Sequence, residues 1–219
     1  MNLRADKKIV HIGIALDESG SMASSRRETV SGLNEHIQEY KKFSDIETTL
    51  TLVKFSSRDN ISTVFNATPI NNIVDFTDKD YNPNGTTAMY DGVAKLLNEM
   101  KNSIIDNDFT TYVILIISDG AENCSVEYNS KQISEMISER LDTKRWTINY
   151  IGANQDLSVV KYTLNLAGGS SLKYSSDSTG TTDMWNNVNT ASVRYMSTRS
   201  TTSNDDIKLE SFSKGLFTN

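Results

Sequence analysis

The chain has 219 residues, the length of one α/β domain, and its 22 Lys plus Arg against 28 Asp plus Glu leave a net charge of −6. A mildly acidic chain without a Lys/Arg run has no electrostatic drive toward nucleic acid or anionic lipid, and no stretch approaches the ~20 apolar residues of a membrane span. One cysteine, Cys124, excludes an internal disulfide and fits a reducing compartment, so a soluble cytoplasmic protein is expected.

The first apolar run, KIVHIGIAL (8–16), is nearly continuous in Ile, Val and Leu, as in a strand covered on both faces. Basic residues precede it, but it is too short for a signal peptide, contains His11 and runs straight into Asp17-Glu18. SSRRETVSGLNEHIQEYKKF then sets Val30, Leu33, Ile37 and Tyr40 on one helical stripe. TTLTLVKF (48–55) and NISTVF (60–65) alternate and are rich in β-branched residues, with SSRD between them, so a hairpin with one antiparallel edge strand is predicted. Residues 66–85, with Pro69 and Pro83, read as polar loop.

TAMYDGVAKLLNEMK spaces Met89, Val93, Leu96, Leu97 and Met100 as a helix face, and TYVILII (111–117) reads as a central strand. SKQISEMISERL is a helix with Ile133, Met136, Ile137 and Leu141 inward, and WTINYIG (146–152) is the next strand. DLSVVKYTLNLAGG opens on an Asp cap and closes on Gly168-Gly169, a start and stop pair for a helix. SSLKY (170–174) is a short last strand, and TDMWNNVNTASVRYM a last helix carrying Met184, Val188, Ala191 and Tyr195. From about 197 the chain reads as linker, then as a tail with scattered apolar residues, Ile207, Leu209, Phe212, Leu216 and Phe217. The expected organisation is a domain over 1–199 and a polar, partly flexible tail over 200–219.

Strands alternating with helices imply right-handed βαβ units. The predicted fold is α/β, a doubly wound, mainly parallel sheet with one antiparallel edge strand and helices on both faces. Ligands of such sheets collect at the carboxyl ends of the strands. Three polar segments fall there: Asp17-Glu18-Ser19-Gly20-Ser21, NGTTAMYD (84–91) and SDGAEN (118–123). They supply Asp17, Ser19, Ser21, Thr86 or Thr87, and Asp119, all hard oxygen donors. Such a set suits Mg²⁺, Mn²⁺ or Ca²⁺ and argues against zinc. Each piece alone has a plainer explanation, since Asp and Ser are common helix caps and Asp-Gly is a common turn; their joint placement on one edge carries the argument.

ALDESGSM, GTTAMYDGV and LIISDGAEN together resemble the three loops of a von Willebrand factor A domain with a metal-ion-dependent adhesion site, over roughly residues 8–196. YIGANQD (150–156) is similar to segments of small bacterial and phage members. Thr86 stands where the family usually has a second glycine. The resemblance implies that Asp17, Ser19, Ser21, Thr87 and Asp119 hold a Mg²⁺, directly or through water, and that an Asp or Glu of a partner protein fills an open position. It implies a protein-binding module, not an enzyme.

Of the other ionisable groups, Glu18 and Glu122 lie beside the site as rim charges or tuning groups, and Asp91 supports a loop from its helix. His11 and His36 read as structural or surface residues, and Cys124 as an ordinary small residue. The alternatives are an assembly protein, for example phage-associated, with a purely stabilising metal, and a metal-dependent phosphoester hydrolase. The hydrolase lacks a second Asp two residues after Asp17, a phosphate loop and a placed histidine.

Overall fold

Nine consecutive buried residues, Ile9–Asp17, form β1, and nine more, Thr110–Ser118, form β4 beside it. Both can be apolar throughout because each face of the sheet is covered by helices. The computed structural model describes residues 7–102, 107–153, 156–166, 170–203, 206 and 214–217. Its remaining strands are β2 (Glu47–Phe55), β3 (Ile61–Pro69), β5 (Trp146–Ala153) and β6 (Ser171–Tyr174), in the order β3-β2-β1-β4-β5-β6. Every neighbouring pair is parallel except β2–β3, the antiparallel hairpin at one edge.

Side-chain alternation divides the interior into two cores. Val10, Ile12, Ile14 and Leu16 of β1, with Val113, Leu115 and Ile117 of β4, face α1 (Arg26–Lys41) and α5 (Ser178–Thr201). Ala15, Ile114 and Ile116 face the other side, covered by α2 (Met89–Asn102), α3 (Ser130–Asp142) and the short α4 (Leu157–Thr163). The predicted stripes Val30/Leu33/Ile37/Tyr40 and Val93/Leu96/Leu97/Met100 are buried. His36, on the same helix as the first stripe, is also buried, its Nδ1 2.7 Å from Asn189 Oδ1 on α5. His11 is buried beside Thr49 Oγ1 at 2.6 Å. Among the described residues no helix is long and apolar enough to cross a membrane.

Three segments differ from the sequence expectation. Residues 66–85 are not simply polar loop: β3 continues to Pro69, and Ile70, Ile73, Phe76 and Tyr81 then bury themselves over the α1-side core. These apolar residues are spaced without helix or strand period, so periodicity misses them. Helix α4 stops at Thr163, where Asn165 takes a left-handed φ of 53°; the expected stop at Gly168-Gly169 lies outside the described residues. Helix α5 continues to Thr201 in place of a linker from 197, because Arg199 is wholly buried and donates to Phe109 O. Near the end of the chain, Leu216 is buried, its N–H donating to Asn149 Oδ1 at 2.8 Å and its carbonyl accepting from Arg194 Nη2 at 2.7 Å. Ile207, Leu209 and Phe212 lie outside the described residues.

Helices α1 and α5 meet at Gly32, where an added Cβ would stand 2.1 Å from Trp185 Cγ. Alanine at a helix interior ordinarily gains about 1 kcal/mol over glycine. Here overpacking against a buried indole reverses the sign, and Gly32→Ala is expected to destabilise by about 2 kcal/mol net. Urea unfolding checks this, and a variant as stable as the parent refutes the close packing.

Candidate metal centre

The polar edge begins where β1 ends. Asp17 is fully buried; its Oδ1 accepts the Ser19 N–H at 2.7 Å and its Oδ2 accepts the Ser118 hydroxyl at 2.6 Å. Its carbonyl accepts from the hydroxyl of buried Tyr81. Beyond it the chain turns through a 3₁₀ segment, Gly20–Ser25, into α1. That turn places Ser19 Oγ 3.1 Å from Ser21 Oγ, and the Ser21 hydroxyl donates to Asp119 Oδ1 from the loop after β4. One chain of hydrogen bonds thus links Asp17, Ser19, Ser21 and Asp119.

Thr87 joins from the second loop. A Cβ built on Gly120 would lie 3.2 Å from Thr87 Oγ1 and 3.6 Å from Ser21 Oγ, so both hydroxyls crowd the same point beside Asp119. A side chain at residue 120 would press on the Thr87 hydroxyl, so Gly120 leaves room where the three loops meet. Thr87 is buried, and its N–H and carbonyl pair with Asn123 Oδ1 (2.9 Å) and Asn123 N–H (3.1 Å). Thr86 is exposed, its hydroxyl bonded to Ser57 Oγ (3.1 Å) and Cys124 Sγ (3.0 Å). All five predicted residues, with Thr87 as the threonine, therefore lie in one cluster.

The neighbouring acids are engaged elsewhere. Glu18, read as a rim charge or tuning group, is buried and pairs with Lys54 Nζ at 2.8 Å while accepting the Asn82 N–H at 2.6 Å. Glu122 accepts from the amides of Tyr90, Cys124 and Ser125 and from the Ser125 hydroxyl, at 2.7–2.9 Å. Asp91 supports a loop, accepting the amides of Val126, Glu127 and Tyr128. Ser118, Tyr81 and Asn123 escaped sequence reasoning. Ser118 precedes Asp119 at a strand end and was open to inspection; Tyr81 and Asn123 act through backbone bonds that leave no spacing signal.

Asp17 and Asp119 have no Lys, Arg or His partner among the described residues. Burial pushes the Asp17 carboxyl up to about 6, against the lowering bonds from Ser118 and Ser19 and with added repulsion from Asp119. Asp119 is also raised, chiefly by burial, and lowered in part by Ser21. A buried acid pair without a counter-cation is costly, and a divalent ion would relieve it. The donor set fits such an ion: two carboxylates and three hydroxyls. Among the described residues no group of three or more His, Cys, Asp or Glu is arranged to hold a metal, so these hydroxyls are needed to complete any shell here.

No family model matches the sequence, and no curated protein matches it. Among solved structures, the chain is similar to proximal thread matrix protein 1 of the mussel byssus with a zinc-occupied adhesion-site motif: 14% identity, TM-score 0.57, covering 86% of this chain and 47% of that one. It is similar to a von Willebrand factor type A protein of Catenulispora acidiphila, at 12% identity and TM-score 0.55, covering 85% and 43%. It is also similar to the pilus adhesin SpaC of Lactobacillus rhamnosus GG, at 11% identity and TM-score 0.63, covering 87% and 31%. The chain thus spans half or less of the length of these three proteins. The likeness is one of architecture: this chain has the von Willebrand factor A fold.

Two buried groups give the metal-free protein opposed pH dependences. Between its ordinary 3.8 and about 6, Asp17 is protonated when folded and ionised when unfolded, so it removes stability as pH rises. His36, lowered by burial from 6.5 to about 4, stays neutral when folded and charges when unfolded, so it removes stability as pH falls through that window. Each amounts to about 3 kcal/mol. Asp17→Asn deletes the first and leaves the second. Urea unfolding in chelator is expected to show the variant losing about 3 kcal/mol more than the parent between pH 6.5 and pH 4. Parallel pH profiles would refute an elevated Asp17.

Proposed function

We propose that this chain is a metal-dependent protein-binding module. In this reading Asp17, Ser19, Ser21, Thr87 and Asp119 hold a Mg²⁺, and an Asp or Glu side chain of a partner protein supplies the last ligand. The observation that carries it is the pair of buried carboxylates at the carboxyl edge of a parallel sheet, linked through the Ser19 amide and the Ser19 and Ser21 hydroxyls, with no cationic partner among the described residues. When bound, the ion offers a Lewis-acidic position to an incoming carboxylate oxygen. The chain's own residues do the rest. Ser118 and the Ser19 amide fix the Asp17 carboxylate, Asn123 fixes Thr87, and Gly120 keeps the approach to both hydroxyls open.

Hard oxygen donors favour Mg²⁺, with Mn²⁺ and Ca²⁺ as substitutes. The mussel protein's zinc-occupied motif adds zinc to the ions worth testing. Binding is favoured over hydrolysis because a hydrolase needs a general base beside the ion. Glu18 is consumed by Lys54, and Glu122 by four donors. His11 and His36 are buried against Thr49 and Asn189.

Calorimetric titration of Mg²⁺, Mn²⁺, Ca²⁺ and Zn²⁺ into chelator-treated protein tests the site. One ion per chain is expected, uptake is lost in Asp17→Ala, Thr87→Ala weakens it by more than about tenfold and Thr86→Ala leaves it unchanged. Affinity purification with and without Mg²⁺, read by mass spectrometry, tests the partner. A protein retained only with the ion, and not by Asp17→Ala, is the expected result. Ion uptake that raises the melting temperature while the captured proteins stay the same would assign the metal a stabilising role only.

A further inference from the structure

At the end of the sheet opposite the acid cluster, Tyr112 near the start of β4 and Trp146 at the start of β5 stack face to face, with centroids 4.1 Å apart and planes at 3°. Two guanidinium groups flank the stack: Arg140 lies 5.4 Å from the indole centroid and Arg145 5.7 Å from the phenol centroid. A cavity of about 320 Å³ opens between these side chains, Lys101 at the end of α2 and Glu139 on α3.

Arg140 is the unusual member. It is only 9% exposed, yet among the described residues it forms no ion pair. Its Nη1 and Nη2 donate to the carbonyls of Met136 (2.7 Å) and Leu97 (3.0 Å), and its Nε–H has no acceptor among the described residues. Carbonyls satisfy donors but do not neutralise a charge, and a buried unpaired charge is among the costlier features a fold can carry. Burial lowers the Arg140 guanidinium, and the exposed Glu139 only partly opposes this. The cavity lining carries Lys101, Arg140 and Arg145 against the single acid Glu139, in a chain whose total is −6; Arg145 donates to the carbonyls of Thr110 and Asn107, so Lys101 and Arg140 are the cations offered to a ligand. A cationic pocket in an acidic protein is not a by-product of overall charge.

We propose that this cavity binds a small oxyanion of charge −2, a phosphate or a dicarboxylate, with Arg140 as its buried anchor and Lys101 at its mouth. The site is independent of the metal cluster, since the two lie at opposite ends of the parallel strands. A dianion matches the charges of Lys101 and Arg140, the latter without an ion pair among the described residues, and contacts of an anion with such groups are charge-assisted bonds of the stronger kind. The volume admits an anion together with a small organic body.

The chain's two tryptophans separate the readout, because Trp146 borders the cavity and Trp185 is buried between α1 and α5. Inorganic phosphate and malonate are titrated separately, in chelator and at ionic strength held constant with chloride, while tryptophan emission is followed. A saturable change is expected with at least one of them, absent in Trp146→Phe, and the anion that saturates at lower concentration identifies the class. Lys101→Glu, at an exposed position, is expected to weaken binding about tenfold. Arg140→Gln abolishes it, provided the variant retains a cooperative melting transition; otherwise Lys101→Glu decides. A linear response to both anions, a response that survives in Trp146→Phe, or unchanged affinity in Lys101→Glu would each overturn the proposal.

Discussion

Two buried carboxylates, Asp17 and Asp119, are linked through the Ser19 amide and the Ser19 and Ser21 hydroxyls, and lack a compensating cation among the described residues. Protein interiors tolerate such a pair only where something else repays it. The surrounding structure does not dilute this charge; it concentrates it. Asp17 ends a strand buried along all nine residues, Tyr81 seals its carbonyl, and Ser118 from the adjacent strand fixes one carboxylate oxygen. The acid is thereby held rigid and partly dehydrated, the condition in which a hard ion gains most from coordinating it.

The other acids near the edge show what an engaged carboxylate looks like. Glu122 takes three backbone amides and a hydroxyl, stitching the third loop to the first turn of α2. Asp91 takes three amides of the same loop, and Glu18 is neutralised by Lys54, which also bonds Asp80 O. With the Asn123–Thr87 pair, these contacts set the second and third loops in register before any ion arrives. Of the acids at this edge, three hold the loops in place and two are left facing the cluster.

Where the fold repeats a pattern, the sequence was easy to read. Nearly continuous apolar runs marked β1 and β4, helical stripes marked α1, α2 and α3, and the β-branched alternation of 48–55 and 60–65 marked the hairpin. The five oxygen donors were visible because each sits immediately beside a strand or helix end. What escaped lies in tertiary contacts without a period. Ile70, Ile73, Phe76 and Tyr81 are buried by a meandering loop, and Arg199 keeps α5 helical by finding Phe109 O some ninety positions away. Spacing alone left two threonines open; the Thr86 hydroxyl bonds Ser57 and Cys124, whereas Thr87 crowds Gly120. Only the indole and carbonyls around Arg140 reveal a buried guanidinium.

The choice of hydroxyls over further carboxylates has an electrostatic consequence. Two carboxylates match a divalent ion in formal charge, but three of the five donors are neutral and polarise weakly. Calcium sites rich in carboxylates spend most of the ion's field on their own ligands. In the proposed reading, a shell with only two acids would leave more of that field directed outward. An incoming Asp or Glu would then gain a contact that a neutral side chain cannot match, and the chemistry of the shell would favour an acidic partner. Affinity for the ion and affinity for such a partner would then both depend on the same scarcity of negative charge.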